Sequence, residues 1–218
     1  MAEPRCVVLG DVVASRDATD RAAVGAALDT GIDRANDAAA DSLHAPFTVL
    51  KGVDEVGGVL TRPDDAYDAM RAIVEALHPH EIRFGVAWGT VDVAPNATDV
   101  AAMDGPAFHR ADEALTRVAD ADRYVGLALA DLATAPTPTL LAGQCDLLFL
   151  LKAEWTPRQC EVVTAYRGAD TMTAVADDLG VTVNTVSRTL QRAHAHLVLA
   201  VEAELADAFS SLGERTKV

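Results

Sequence analysis

Two acidic positions stand where the pattern of apolar residues breaks. Asp11 lies inside the run CVVLGDVV (6–13), and Asp54 and Glu55 sit side by side in VLKGVDEVGG (49–58). Carboxylates on neighbouring strands can hold a divalent cation, and at a hairpin tip they equally serve to keep a turn solvated. Successive residues of a regular strand point to opposite faces. Asp54 and Glu55 therefore point to opposite faces, and with Asp54 turned toward Asp11, Glu55 is the solvent-facing neighbour. A second set comes late, in MTAVADDLGVTVNTVSRTLQRA (172–193). Thr182, Asn184, Thr185, Ser187, Arg188, Gln191 and Arg192 would project from a helix that Thr182 caps. From Leu179 to Val201 there is no acidic residue, although Asp and Glu make up 33 of the 218 residues. Absence of acid along a helix suits an approach to nucleic-acid phosphates.

The elements that must position these residues are legible from periodicity. Residues 6–13 read as a buried strand, and ASRDATDRAAVGAALDTGIDRANDAAA as a helix. PFTVLKG (46–52) and EVGGVLT (55–61) read as two strands joined by a tight turn. PDDAYDAMRAIVEALH has the Pro and acids of a helix start, and EIRFGVAWGTVDV (81–93) is the next strand. The order β-α-β-β-α-β is the split pattern of ferredoxin-like folds. A further helix is expected over about 106–119 and a strand plus helix over 123–133. TAPTPT then marks a linker, and TLLAGQCDLLFLLKAEW a buried helix joining two parts. In the last part, Ala176, Gly180 and the apolar Val175, Leu179, Val181, Val186 and Leu190 have the spacing of a helix-turn-helix core, with Thr156-Pro157 opening a supporting helix.

Composition bounds the rest. The chain carries a net charge of −15, and its three lysines are Lys51, Lys152 and Lys217. An acid-rich, lysine-poor surface fits a halophilic cytoplasm, and equally the acidic bias of a high-GC genome. Cys6, Cys145 and Cys160 form no CxxC pair, which disfavours a disulfide framework or a zinc site. The N-terminus lacks signal-peptide features and no apolar run is long enough to span a membrane, so a cytoplasmic protein is expected. Residues 153–218 hold 6 basic and 9 acidic groups, without the usual basic footprint of a DNA-binding domain. Helix-turn-helix packing for assembly therefore stands beside DNA binding. The continuing helix, LVLAVEAELADAF, has apolar spacing suited to a homodimer contact.

Three stretches resemble class III nucleotide cyclases over roughly residues 5–120. VVLGDVVASR is similar to their first strand, and VLKGVDEVGGVL to their second-strand hairpin and, more loosely, to the GGDEF hairpin. IRFGVAWGTVDV with MDGPAFHRADEAL is similar to their later strand, loop and helix. The block at 172–193 resembles the helix-turn-helix of sigma-factor region 4. GDVVASR (10–16), VDEV (53–56) and DGPAF (104–108), on a chain of this layout, resemble the SatD family, which joins a cyclase-like half to a helix-turn-helix.

The resemblance implies an α+β chain: a ferredoxin-like βαββαβ cyclase-type domain (1–133), a linker and connecting helix (134–152), and a helix-turn-helix domain with a long C-terminal helix (153–218). It implies Mg²⁺ held by Asp11 and Asp54, and a pocket of Ser15, Arg16, Glu55, Asp104, His109 and Arg110 for a nucleotide or other phosphate-bearing ligand. Departures argue against cyclisation. Val53 replaces a glycine, and Leu50 stands where a base-selecting lysine belongs, with Lys51 one residue off. His109 and Glu113 replace an asparagine and an arginine, and a glutamate opposes the anionic charge of the transition state. No catalytic residue is assigned. The expected function is a DNA-binding regulator whose cyclase-like domain senses a ligand. The alternative is a Mg²⁺-dependent enzyme acting on a nucleotide by hydrolysis or phosphoryl transfer, with the helix-turn-helix used for assembly.

Overall fold

The computed structural model describes residues 3–13, 21–52, 54–129 and 138–214. Strand β1 (Pro4–Val12) leads through helix α1 (Arg21–Ala38) to β2 (Leu43–Lys51) and β3 (Glu55–Leu60), and α2 (Ala66–Leu77) leads to β4 (Ile82–Thr90). Helix α3 (Pro106–Asp120) follows, then a fifth strand, β5 (Val125–Ala128). The sheet order is β2-β3-β1-β4-β5. β1 is antiparallel to both β3 and β4, and β5 adds parallel to β4 at the edge. The first four strands thus form the expected split βαββαβ sheet.

Strand alternation divides the core. Cys6, Val8 and Val12 of β1 join the cluster that contains Leu28 and Ile32 of α1 and Met70 and Ile73 of α2. Val7 of β1, with Val59 and Ala87, packs on the opposite face against Ala107 and Ala111 of α3. Two glycines bring α3 down onto the sheet. A Cβ on Gly85 would stand 2.0 Å from the Ala111 carbonyl oxygen, and one on Gly126 would stand 2.7 Å from that of Ala114.

The C-terminal part consists of α4 (Pro138–Ala153), α5 (Pro157–Arg167), α6 (Met172–Asp178), α7 (Val183–Arg192) and α8 (Ala195–Glu214). Helix α5 begins with a capping box in which Thr156 and Gln159 bond reciprocally and Pro157 fills the first turn. The turn between α6 and α7 passes through Gly180 at φ +63°. Val175, Ala176, Val186 and Leu190 are buried beneath the turn, and the Val181 N–H donates to the Ala176 carbonyl at 2.9 Å. Two short helices meeting over these small and apolar residues are what the sequence spacing predicts.

Both parts share one hydrophobic cluster, which runs from Cys6 to Leu212. At the seam, Phe149 of α4 stacks on Tyr67 of α2, and Phe209 of α8 packs on the same ring. Beside them lies a buried ion cluster built from four helices. Glu75 of α2 accepts from Lys152 of α4 and from Arg167 of α5, each at 2.7 Å. Glu202 of α8 pairs with the same Lys152 and, at 2.7 Å, with the same Arg167. Tyr67 donates to Glu202 at 3.3 Å. Burial pushes the Glu75 carboxyl up, but Lys152, Arg167 and Arg71 outweigh it and hold the group at about 2.

The apolar side of α8 is spent inside the chain. Val198, Leu205, Phe209 and Leu212 are buried, and only the outward Leu197 of this helix stands as a large exposed apolar side chain among the described residues. Among the described residues no helix is long and apolar enough to cross a membrane.

Candidate functional site

The end of β1 meets the starts of β3 and β4, and the register there brings charges into a row. Asp11 is paired with Glu55 on one side and with Arg83 on the other, and Glu55 is paired in turn with Lys51. Directly opposed residues of antiparallel strands share a face, with Cβ atoms about 4.5–5.5 Å apart. Lys51, Glu55, Asp11 and Arg83 therefore cross four strands on the α3 side of the sheet. This corrects the expectation for Glu55, which is the cross-strand neighbour of Asp11 and not the residue facing away. Gly52 and Asp54 are turn residues, and the strand with its alternation begins only at Glu55.

Asp54 lies within that turn. Its carbonyl accepts from the Val12 N–H at 2.9 Å, which ties the hairpin tip to the end of β1. Its carboxylate folds back over Gly52, whose φ is +64° and where a Cβ would stand 2.7 Å from Asp54 Oδ1. Ser15, Arg16 and Val53 lie outside the described residues.

Above the row, a cleft of about 410 Å³ separates the sheet from the C-terminal half of α3. Asp11, Glu55 and Arg83 line its floor, and Asp112, Thr116 and Asp120 its helical wall. Arg83 is also engaged by Asp122 at 2.6 Å. Among the described residues four carboxylates and one guanidinium line the cleft, which makes this lining negative, and the C-terminal end of α3 adds a partial negative charge. A bare polyphosphate would be repelled here, whereas a divalent cation would be drawn in. No cluster of three or more metal-ligating side chains occurs among the described residues. A Mg²⁺ ion needs no more than one or two carboxylates beside water and phosphate oxygens, and the opposed pair Asp11 and Glu55 fits that requirement.

The other expected pocket residues gather at the opposite end of α3. Asp104 accepts from the Gly105 N–H at 2.7 Å, and His109 Nε2 stands 3.4 Å from the same carboxylate. Arg110 donates to the Trp88 carbonyl at 3.3 Å. Trp88 is five residues along β4 from Arg83, roughly 17 Å at strand spacing. Glu113 faces Arg117 across an exposed pair at 3.8 Å. One chain thus brings Asp11, Asp54 and Glu55 together but does not bring Asp104, His109 and Arg110 to them. Sequence reasoning missed Arg83 and the α3 residues Asp112, Thr116 and Asp120. The signal for Arg83 was the strand order itself, because an antiparallel β1/β4 pair sets the last residues of one against the first of the other.

On α7 the expected face is present. Thr182, Asn184, Thr185, Ser187, Arg188, Gln191 and Arg192 are all exposed. Thr182 caps the helix by accepting from the Thr185 N–H at 3.2 Å, and the two hydroxyls bond each other at 2.9 Å. Asn184, Ser187, Arg188, Gln191 and Arg192 share the remaining outward surface with the apolar Val183, which is 42% exposed.

The SatD family model matches residues 6–199. The chain belongs to the SatD family. No curated protein matches the sequence. Among solved structures, a bacterial light-regulated adenylyl cyclase is 15% identical, with a TM-score of 0.44 over 58% of this chain and 76% of that one. The guanylyl cyclase Cya2 is 16% identical, with a TM-score of 0.36 over 54% of this chain and 73% of that one. A regulator of polyketide synthase expression from Bifidobacterium adolescentis is 16% identical, with a TM-score of 0.32 over 94% of this chain and 80% of that one.

Proposed function

We propose that this SatD-family chain is a DNA-binding regulator whose cyclase-like half senses a ligand and whose α7 reads DNA. The observation that carries the reading is the outer face of α7, an exposed polar surface free of acid on a pair of helices fixed by Gly180 and a buried Ala176. Arg188 and Arg192 would meet phosphates or guanine edges, and Asn184 and Gln191 have the paired donor and acceptor that suit adenine. Because the C-terminal part lacks a basic footprint, hydrogen bonds to bases would carry more of the affinity than counterion release does.

On the sensing side, Asp11 and Glu55 would hold a Mg²⁺ ion, with Asp54 as a further carboxylate at the hairpin tip. The ion would neutralise a phosphate-bearing ligand such as a nucleotide at this acidic cleft. Arg83 would bind a ligand phosphate once it leaves Asp122. A ligand alters DNA binding only by favouring one arrangement of the two parts over another, and α4 with its Lys152 is one of the helices through which they meet. Fluorescence anisotropy on a randomised duplex pool at low salt, with and without nucleotide and Mg²⁺, tests this. The expected result is binding that weakens about tenfold in Arg188→Ala and shifts with ligand. Negligible binding under every condition would sink the proposal.

The second reading, a Mg²⁺-dependent enzyme on a nucleotide, is favoured by the Asp11–Glu55 pair alone. It predicts turnover that disappears in both Asp11→Asn and Glu55→Gln, read by phosphate release or product chromatography.

A further inference from the structure

Helix α4 is apolar on both sides but buried on only one. Leu141, Ala142, Cys145, Leu148 and Phe149 face the core, whereas Leu140, Leu147 and Leu150 are 64%, 69% and 49% exposed. These three are half of the large apolar side chains that stand exposed among the described residues. At 3.6 residues per turn, Leu140, Gly143, Leu147, Leu150 and Glu154 fall within an arc of about 80°, opposite the buried side. A helix that is apolar all round is ordinarily covered all round.

We infer that the outer face of α4 is a dimerisation surface that takes the same face of a second copy of this chain, antiparallel, with Leu147 on the two-fold axis. The stripe is self-complementary in that arrangement alone. Leu140 and Glu154 lie seven residues to either side of Leu147, so the Glu154 of one copy reaches the start of the other's α4. That start has no acidic residue in its first turn, and it is the positive end of the helix dipole. Leu150 and Gly143 lie three and four residues to either side of Leu147, so each Leu150 settles on the partner's Gly143. A Cβ there would meet nothing within 4 Å, leaving open space for the incoming side chain. A parallel pair would instead set Glu154 against Glu154 and leave both helix starts without a counter-charge.

Other occupants fit less well. A net charge of −15 repels the anionic surface of a membrane, and it opposes a second copy as well, which keeps the association weak. The apolar face of α8, which the sequence offers as a dimer contact, is already buried in the chain's own core. The α4 stripe covers less than the roughly 800 Å² per partner of a standard interface, so the dimer is reversible and concentration-dependent.

Sedimentation velocity of the intact chain, from micromolar to several hundred micromolar, tests the inference against Leu147→Glu. The wild type shifts to a dimer as concentration rises, while Leu147→Glu stays monomeric with the wild-type melting temperature. Orientation is read by oxidative cross-linking, since the native thiols are buried. Leu147→Cys cross-links alone, and Leu140→Cys cross-links only when Glu154→Cys is added. A wild type that stays monomeric overturns the inference, as does a dimer that Leu147→Glu leaves intact or a cross-link through Leu140→Cys alone. Flotation of a monomeric wild type with phosphatidylglycerol vesicles would give the stripe to lipid and overturn it equally.

Discussion

Glu75 shows how much one side chain can depend on its neighbours. Its ordinary value of 4.5 is lowered to about 2 by Lys152, Arg167 and Arg71 despite burial. The folded state therefore holds this proton less tightly than the unfolded chain does. The stabilisation is complete above about pH 4.5 and is lost as pH falls toward about 2, with a total on the order of 3 kcal/mol. Urea unfolding measured across that window should show stability rising with pH, and Glu75→Gln should flatten the rise while destabilising the chain by about 3–5 kcal/mol. Little in the sequence announces this cluster. Lys152, one of three lysines and set in an apolar run, was its sole visible member, because Glu75, Arg167 and Glu202 come together only through tertiary packing. Asp11 and the hairpin acids were legible as a group. Which of them opposes Asp11 was not, since one residue of turn length flips the faces.

Elements were easier to read than their neighbours. Gly180 was legible as a turn because a left-handed residue favours glycine, and the structure gives it φ +63° with nothing within 4 Å. Gly180→Ala should therefore cost only the backbone strain, about 1–2 kcal/mol by thermal or chemical unfolding. Gly85 is the opposite case. Its backbone is ordinary, but α3 lies against it, with the Ala111 carbonyl oxygen 2.0 Å from any Cβ. Gly85→Ala should cost more than Gly180→Ala, at least about 1–3 kcal/mol, and should distort the cleft by lifting α3 from the sheet. The sequence marks both positions with the same letter, and only the packing tells them apart. The capping Thr156 and Thr182 were also legible, since local hydrogen bonding fixes helix starts without help from the rest of the chain.

At the scale of the whole molecule, a domain division at the TAPTPT stretch describes the sequence better than the packing. That stretch lies mostly outside the described residues. The helices beyond it share a hydrophobic core with the first part, to which α4, α5 and α8 contribute. Composition and periodicity cannot reveal a shared core, because apolar residues at helical spacing look the same whichever partner they cover. Two of the three buried thiols turn this arrangement into a pair of clocks. Cys6 lies in the central strand, and Cys160 lies in the seam, its Sγ 3.7 Å from the Glu75 carbonyl oxygen. Burial raises the Cys6 thiol well above its ordinary value and pushes the Cys160 thiol up as well, so each reacts mainly when its surroundings open. Under native conditions a thiol-specific reagent should label Cys160 before Cys6, at a rate set by separation of the two parts and not by global unfolding. Equal labelling rates, read by mass spectrometry of digested protein, would mean that the seam and the sheet open together. A ligand that changes how the two parts meet would then announce itself as a change in the pace of one cysteine and not the other.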